Sequence, residues 1–345
     1  MCVKDTGTKY QLWISDFNID GTFTRVHPFI ISHTKTMTRT REDGKEEVFS
    51  ACIKHDDTRY LGGNKSSSIV ATKLQGRPRT GITYDKANEF CTNRGDWITM
   101  IDYLEYCALQ ALCYIEYANF DNQAALNTNL TSDGFKQGGL GAGVTNLAWD
   151  RWTAFNGNNP IVQTYWTAEH NIGNGSTNGD HYELGNYNVD GSNLNTYPAV
   201  YRGILNFFGD IWTFIRDVAI INRNVNYNSV YLLKKSVNHS DITIDNIQDK
   251  CYFIGDQANT NNFITEFDFR FGPYFVPNKV GTNKKADYNW KRGNDGQDTD
   301  KAVRVLLLGG GAHYGSPAGS GGFYSVWVRS VSNALVGFFT TVKLD

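Results

Sequence analysis

The sequence contains no apolar run that approaches the roughly 20 residues a membrane-spanning helix needs. Its first stretch, Met1 to Trp13, contains no apolar core of signal-peptide length. The formal net charge is −2 and the isoelectric point is near 6.4, so the chain lacks the positive charge that nucleic acids and anionic membranes attract. We therefore expect no membrane insertion and no nucleic-acid partner, and export would need a route other than a visible leader.

Paired-cysteine motifs are also absent. None of the six cysteines forms C-x-x-C, and none stands at zinc-binding spacing from a histidine. Cys107 and Cys113 fall on different faces of one predicted helix, so they cannot bridge each other. We expect free, mostly buried thiols, as in a protein that folds in a reducing cytosol. The sequence predicts no metal site and no cofactor.

The glycine-rich stretch from Gly309 to Gly322 lacks the signatures of nucleotide-binding and hydrolytic enzymes. A phosphate-cradling loop ends in lysine and serine or threonine, but no lysine stands between Val303 and Val342. A dinucleotide fingerprint needs a third glycine where Tyr314 stands. A nucleophile elbow at Ala318 to Gly322 would need a histidine further along the chain, whereas the last histidine, His313, lies upstream of that motif. We expect no catalytic residues and no enzyme activity.

What the sequence does contain is an aromatic-rich, loop-rich globular pattern. Of its 345 residues, 40% are apolar and 14% aromatic, and 34 are glycine. The last 43 positions, residues 303–345, begin with a buried strand at Val303 to Leu308, continue through the glycines and end in two β-rich runs. A β framework that holds varied side chains on loops is suited to binding a ligand.

Two helices are predicted near the middle of the chain. The first runs from Tyr84 to Arg94, with Thr83 as its N-cap and Gly95 as its stop signal. Its expected buried residues are Tyr84, Ala87, Phe90 and Cys91.

The second helix is predicted from Ile101 to Asn119, with Thr99 and Asp102 at capping-box spacing. Glu105 lies within it and is interpreted as a solvated or capping carboxylate rather than a catalytic one. The expected buried stripe is Ile101, Leu104, Ala108, Ala111, Leu112, Ile115 and Ala118.

Residues 120–198 are rich in Asn, Gly, Thr and Tyr and show little periodicity. A stretch of this length without regular structure is usually a functional loop region. Its carboxylates and carbonyls would suit calcium, but they lack the D-x-[DN]-x-[DN]-G pattern, so calcium binding stays an open alternative.

Five stretches occur in the same order in one known family. They are Arg94 to Met100, Tyr114 to Ala118, Tyr201 to Phe214, Asp287 to Trp290 and Arg304 to Gly310. From about residue 20 to residue 345, the chain resembles the C-type-lectin-like proteins of the formylglycine-generating-enzyme subtype that are variable proteins of diversity-generating retroelements. Many of these are tail-tip or receptor-binding proteins of bacteriophages.

The resemblance implies an α+β fold of the C-type-lectin-like type, with a small twisted antiparallel sheet, two helices and long loops. It implies one domain over residues 81–345, a β-rich part at 1–80 continuous with it, and a variable ligand-binding segment at 303–345. The function implied is that of a non-enzymatic adhesin on a phage tail tip. Its partners would be a host cell-surface protein or glycan, other virion tail proteins, and further copies of itself in a homo-oligomer.

In this family the terminal segment is rewritten by adenine-directed mutagenesis of asparagine codons, which conserves the pyrimidine at the third position. Such codons reach His, Tyr, Pro, Val, Arg and Leu but never Trp. The resemblance therefore implies seven ligand-binding positions on one solvent-facing patch: His313, Tyr314, Pro317, Val326, Val328, Arg329 and Leu335. Val326 and Val328 are expected on one face of an alternating strand. Four tryptophans are expected as scaffold: Trp97, Trp212, Trp290 and Trp327.

Three alternatives remain from the sequence. The same fold family contains an oxidase that makes formylglycine with cysteines near the end of its chain, whereas here the only cysteine beyond Cys113 is Cys251. A bacterial surface adhesin of the same fold would bind in the same way at a different location. An ordinary β core with glycine turns would need no variable positions.

Overall fold

The computed structural model describes residues 2–5, 10–13, 25–26, 35–40, 46–51, 81–93, 98–118, 120, 171–172, 186–189, 192–195, 200–201, 204–205, 207–208, 211–224, 227–282, 287–291, 302–311, 317–333 and 336–342. Its helices are α1 (Tyr84–Thr92), α2 (Tyr103–Tyr117), α3 (Ile247–Lys250) and a 3-10 turn at His239–Asp241. The strands in the first half are β1 (Cys2–Asp5), β2 (Tyr10–Trp13), β3 (Arg25–Val26), β4 (Lys35–Thr40), β5 (Glu46–Ala51), β6 (Ile98–Met100), β7 (Asn171–Ile172), β8 (Asn186–Val189), β9 (Ser192–Asn195), β10 (Val200–Tyr201) and β11 (Ile204–Leu205). Those in the second half are β12 (Trp212–Asn224), β13 (Tyr227–Leu233), β14 (Cys251–Gln257), β15 (Asn262–Asp268), β16 (Val276–Gly281), β17 (Tyr288–Trp290), β18 (Val303–Leu308), β19 (Phe323–Tyr324), β20 (Val336–Gly337) and β21 (Thr340–Val342).

One nine-stranded sheet organises the described part of the chain. Its strands lie in the order β14, β13, β12, β18, β19, β17, β15, β16, and β20 pairs with the start of β12. Most neighbours are antiparallel, but β17 runs parallel to β19 and β20 runs parallel to β12. The expected small antiparallel sheet is therefore corrected to a larger, mixed one. The parallel pairs join short strands that are distant in sequence, so no hairpin pattern in the sequence predicts them.

The sheet curls until its two edge strands approach each other. The Ala258 N–H, just after β14, donates a hydrogen bond to the Pro277 carbonyl in β16 over 2.7 Å. A Cβ on Gly255 would lie 3.3 Å from the Cβ of Val276, so the two edges are also in contact through side-chain atoms. The result is a half-barrel with few helices, in agreement with the predicted α+β class.

Strand β18 shows how both faces of this sheet are covered. Leu306 and Leu308 belong to the core that includes α2, whereas Val305 and Leu307 belong to a second core that includes α1. Alternate side chains of a strand point to opposite faces. The chain therefore packs α2, with Ala318 and Phe323, on one face of the sheet and α1, with Trp327 and Val336, on the other.

Helix α1 agrees closely with its sequence prediction. The Thr83 hydroxyl caps it by accepting a hydrogen bond from the Lys86 N–H, and the four residues predicted as its buried stripe are all buried. The helix ends at Thr92, with Asn93 as its C-cap, rather than running to Arg94. The amphipathic pattern was sufficient here because only one face of α1 contacts the core.

The start of α2 corrects the predicted capping box. Asp102 is the N-cap, and its box partner is Glu105, the third residue of the helix. Thr99, the residue assigned to the cap from the sequence, lies in β6, which pairs with β21. Glu105 is thus a capping carboxylate, one of the two roles expected for it.

The buried surface of α2 also differs from the predicted stripe. Tyr103 and Tyr106, which lie off that stripe, are fully buried. Leu104 and Ile115, which lie on it, are only half-buried, and Ala118 is exposed. Because the sheet curves around the helix, most sides of α2 contact apolar residues and a one-face pattern does not describe it.

The scaffold tryptophans occupy the core shared by α1 and the sheet. Trp212 is 2% exposed and meets Trp290 edge-on, with ring centroids 5.0 Å apart. Trp290 and Trp327 are half-buried and pack against the same core. Trp97 lies outside the described residues.

Candidate ligand-binding surface

The terminal segment leaves the centre of the sheet at β18 and returns to it at β19. Between them, Gly309 and Gly310 have φ of +95° and +74°, a backbone conformation that glycine adopts without steric cost. The Gly309 N–H donates to the Gly322 carbonyl over 3.2 Å, which closes the glycine loop at its base. His313 and Tyr314 lie outside the described residues.

A buried carboxylate, Asp287, fixes the second half of this loop. Asp287 is 1% exposed, and its Oδ2 accepts a hydrogen bond from the Gly321 N–H over 2.5 Å. A Cβ on Gly319 would overlap the Asp287 carboxylate, and one on Gly321 would overlap the Tyr114 hydroxyl. These two positions therefore require glycine so that the backbone can approach the carboxylate.

Tyr114 of α2 completes the polar cluster beneath the loop. Its hydroxyl accepts a hydrogen bond from Gln110 Nε2 over 2.8 Å and also hydrogen-bonds the Ser320 side chain. Burial, and then the nearby Asp287 carboxylate, raise the pKa of Tyr114 well above its ordinary value. The phenol stays protonated, so it can serve this cluster as a neutral hydrogen-bonding group.

After β19 the chain crosses the sheet between Ser325 and Asn333, a stretch we call the return segment. Three of its carbonyls accept from backbone N–H groups: Trp327 from Val305 over 3.0 Å, Arg329 from Tyr84 over 3.1 Å and Asn333 from Gly81 over 2.9 Å. At its start, the Ser325 N–H donates to the Trp290 carbonyl over 3.0 Å. The return segment is thus held mainly through backbone atoms, which any side chain would leave in place.

A buried side-chain network supports the start of the return segment. The Ser325 hydroxyl donates to Gln257 Oε1 over 2.6 Å, and Gln257 Nε2 donates to Asn289 Oδ1 over 2.7 Å. Arg304, 1% exposed, donates from its guanidinium to the Val326 carbonyl. Nothing in the periodicity marked these polar residues as buried.

Four of the seven predicted binding residues lie in the described part of the chain. Val326, Val328 and Arg329 stand together on the return segment, and Pro317 stands on the glycine loop, where its carbonyl accepts from the Tyr288 N–H over 3.2 Å. All four are half-buried. His313, Tyr314 and Leu335 lie outside the described residues.

The expected alternating strand through Val326 and Val328 is not formed. Val328 makes an isolated bridge to Arg304, and Ser325 to Trp327 belong to no strand. The backbone is held by single hydrogen bonds to three different elements, so it cannot keep one continuous ladder.

Arg329 links the return segment to the first turn of α1. Its Nη1 lies 2.7 Å from Asp85 Oδ2, and the two side chains are 41% and 52% exposed. An ion pair this exposed contributes roughly 0–1 kcal/mol to stability. Both charges therefore remain accessible to a ligand at little cost to the fold.

A group of carboxylates lies away from this surface, where α2 meets β12 and β21. The pKa of Glu105 and that of Asp217 are each raised to about 7, first by burial and then by the neighbouring Asp102 carboxylate. Arg216 stands 3.5 Å from Asp102, and the Thr341 hydroxyl donates to Glu105 over 2.8 Å. This arrangement joins the last described strand to the N-terminus of α2.

The described residues include no group of three or more His, Cys, Asp and Glu side chains placed to hold a metal ion. The loops considered for calcium lie outside those residues, apart from a few short strands. Cys91, Cys107, Cys113 and Cys251 are buried, as expected for most of the cysteines. Burial raises the pKa of Cys251 to about 11, so this thiol is a poor nucleophile at neutral pH.

No family model matches the chain, and no curated protein matches it either. Among the helices that the structure describes, none combines the length and the apolar character needed to cross a membrane.

Proposed function

We propose that the protein is a non-enzymatic receptor-binding protein, a phage tail-tip adhesin of the C-type-lectin-like, formylglycine-generating-enzyme subtype. In this proposal a retroelement diversifies residues 303–345, and the resulting surface binds a host cell-surface protein or glycan. The protein would reside in the virion with other tail proteins, as a homo-oligomer. A bacterial surface adhesin would use the same surface at a different location.

The observation that carries the proposal is how the return segment is held. Its carbonyls at Trp327, Arg329 and Asn333 accept hydrogen bonds from backbone N–H groups of other elements. Because these bonds involve no side chain of the segment, Val326, Val328 and Arg329 can change without removing them. A surface that must accept many sequences on one fold needs an anchorage of this kind.

The glycine loop supports the same interpretation. Asp287, outside the variable segment, holds the loop through the Gly321 N–H, and Trp327, half-buried like Val326 and Val328, packs against the core that includes α1. Asp287 and Trp327, which are not proposed to vary, therefore stabilise the fold, and the positions proposed to vary contribute side chains at the surface. Arg and Tyr, present at Arg329 and Tyr314, are residue types that often dominate binding energies.

The test measures two properties of each variant: its adsorption to a panel of candidate host strains and its thermal unfolding. Replacing Arg329 or Tyr314 by Ala should reduce the free energy of binding to the host ligand by about 2 kcal/mol or more. Adsorption should then be weakened or shift to other strains. The melting temperature should change little for Arg329→Ala, because only an exposed ion pair is lost. Lys235→Ala, which removes an exposed cation after β13, is the matched control and should bind normally.

Binding that is unchanged in both variants would place recognition elsewhere, most plainly in residues 120–198. Loss of folding together with binding would assign the two residues to the core. The genetic neighbourhood provides an independent check, because the proposal requires a reverse-transcriptase gene and an imperfect repeat of the terminal codons nearby.

A further inference from the structure

A polar groove of about 630 Å³ lies between the chain that follows β14 and the strands β15 and β16. Its volume is within the range of roughly 300–1,000 Å³ typical of small-molecule sites. It is separate from the four described residues proposed above for the variable surface. Ten residues line it: Asp256, Gln257, Ala258, Asn259, Thr260, Thr265, Arg270, Asn278, Lys279 and Val280.

The lining is chemically unusual because all but Ala258 and Val280 carry a polar side chain. Most ligand pockets are lined mainly by apolar and aromatic groups, with a few polar ones that orient the ligand. The lining includes amides, hydroxyls and charged groups, so donors and acceptors are both present. A ligand that fills this space must itself offer many donors and acceptors, and a mainly apolar ligand is excluded.

The wall formed by the residues after β14 is rigid. Gln257 is held by Ser325, Asn289 and Asn228 through its side-chain amide. Asn289 Nδ2 also donates to the carbonyls of Ala258 and Thr260, over 3.2 and 3.0 Å. The wall is therefore organised before any ligand arrives, which reduces the entropy cost of binding.

One lining residue has an unmet hydrogen-bonding capacity. Asn278 Nδ2 donates to Glu266 Oε1 over 3.3 Å, while its Oδ1 is buried and has no hydrogen-bond partner within the described part of the chain. A buried acceptor left without a donor destabilises the fold, because it has lost its hydrogen bond to water. A hydroxyl donor supplied by a ligand, after a small rotation of the amide, would satisfy it.

The charges of the groove argue against an anionic ligand. Arg270 pairs with Asp268 at 2.7 Å, and Lys279 pairs with Glu266 at 2.6 Å. Asp256, the remaining charged lining residue, accepts from the Ser229 hydroxyl over 2.7 Å. Both cations therefore already have carboxylate partners, and the groove has no excess positive charge to attract phosphate, sulfate or a carboxylate.

We propose that this groove binds a neutral carbohydrate, whose hydroxyls match the donors and acceptors of the lining and supply the donor that Asn278 lacks. The inference does not rest on the function proposed for the terminal segment. It is carried by the groove's lining, its paired charges and the unmet acceptor.

The first experiment uses saturation-transfer NMR with maltotriose, cellotriose, mannotriose and chitotriose, in low and in high salt. At least one of these should bind with a dissociation constant of about 1 mM or tighter. Binding should be insensitive to salt, because no net charge is neutralised. Glucuronate is added as an anionic comparison. Absence of binding by every neutral sugar, or salt-sensitive binding of glucuronate alone, would overturn the proposal.

The second experiment locates the binding. Thr265→Trp places a large ring into the groove from an exposed position and should abolish binding, whereas Gln248→Trp, on the exposed side of α3, should not. Asn278→Ala should weaken binding about tenfold, the effect of one lost hydrogen bond. It replaces Thr265→Trp as the test of the groove if that variant fails to fold. Arg329→Ala should bind these sugars normally. Binding lost in Arg329→Ala but retained in Thr265→Trp would move the carbohydrate to the terminal surface.

Discussion

At the scale of single residues, Gly321 shows how closely the glycine loop approaches the core. The Gly321 N–H donates to Asp287, and the Tyr114 hydroxyl occupies the space where a Cβ would stand. Replacing Gly321 by Ala should therefore force both groups to move and destabilise the fold by about 1–3 kcal/mol. Denaturant unfolding measures this directly.

Gly281→Ala is the control for that experiment. A Cβ there would lie 3.3 Å from Thr265 Cγ2, and Thr265 is an exposed side chain that can rotate away. We expect it to retain nearly the whole stability of the wild type. Equal stability of the two variants would mean that the loop does not depend on Asp287 in the way described.

Trp212 gives a second prediction at this scale. It is 2% exposed and packs against Trp290 and Tyr324, at ring-centroid distances of 5.0 and 5.1 Å. Truncation to Ala should cost about 3–5 kcal/mol, because a large cavity would remain in a close-packed core. Phe271→Ala, at a ring that is 47% exposed, should change the melting temperature much less. A Trp212 variant with wild-type stability would contradict the scaffold role.

At the scale of elements, the junction of α2, β12 and β21 should make stability depend on pH. Glu105 and Asp217 have pKa values raised to about 7 from ordinary values of 4.5 and 3.8. Between those values and 7, the folded state holds protons that the unfolded state has released. Stability therefore falls as pH rises through that window, and the melting temperature should be lower at pH 8 than at pH 6.

Glu105→Gln should reduce this dependence, because its amide cannot release a proton. The comparison between variant and wild type is essential, since burial lowers the pKa of His239. A histidine of that kind destabilises the fold as pH drops below about 6.5, which is the opposite direction. If Glu105→Gln and the wild type had identical pH profiles, the junction would not titrate as described.

The elements also show what the sequence could predict. Strand β18 was predicted with its observed bounds, Val303–Leu308, because a continuous apolar run is typical of a strand buried on both faces. The stripe of α1 was right because one face meets the core. The stripe of α2 was wrong because the curvature of the sheet, a property of distant strands, decides which sides of the helix are covered.

The polar residues of the site were harder to predict for the same reason. Asp287 and Ser320 belong to one buried cluster although they stand far apart in sequence, and each looks like an ordinary loop residue locally. Their burial follows from the parallel pairing of β17 with β19. Such non-local pairing has no short-range sequence signal.

At the scale of the whole molecule, the proposed function requires that the protein lack oxidase activity. The terminal stretch contains no cysteine, and Cys251, the only one after Cys113, is buried with its pKa raised to about 11. Incubation with copper and a cysteine-containing peptide should produce no aldehyde. Aldehyde formation that disappears in Cys251→Ser would replace the binding proposal with an enzymatic one, whereas aldehyde that persists would point to a contaminant.

The two glycines above Asp287 have a consequence at the level of the gene. Every glycine codon begins with two guanines, so a mutator that rewrites only adenines cannot change Gly319 or Gly321 into another amino acid. The codons for Phe323 and Trp327, whose side chains pack in the core, contain no adenine at all. Under the proposed diversification, the mutator therefore cannot replace any of these four residues, on which the fold depends. Each new version of the surface would inherit an intact scaffold without any selection for folding at these positions.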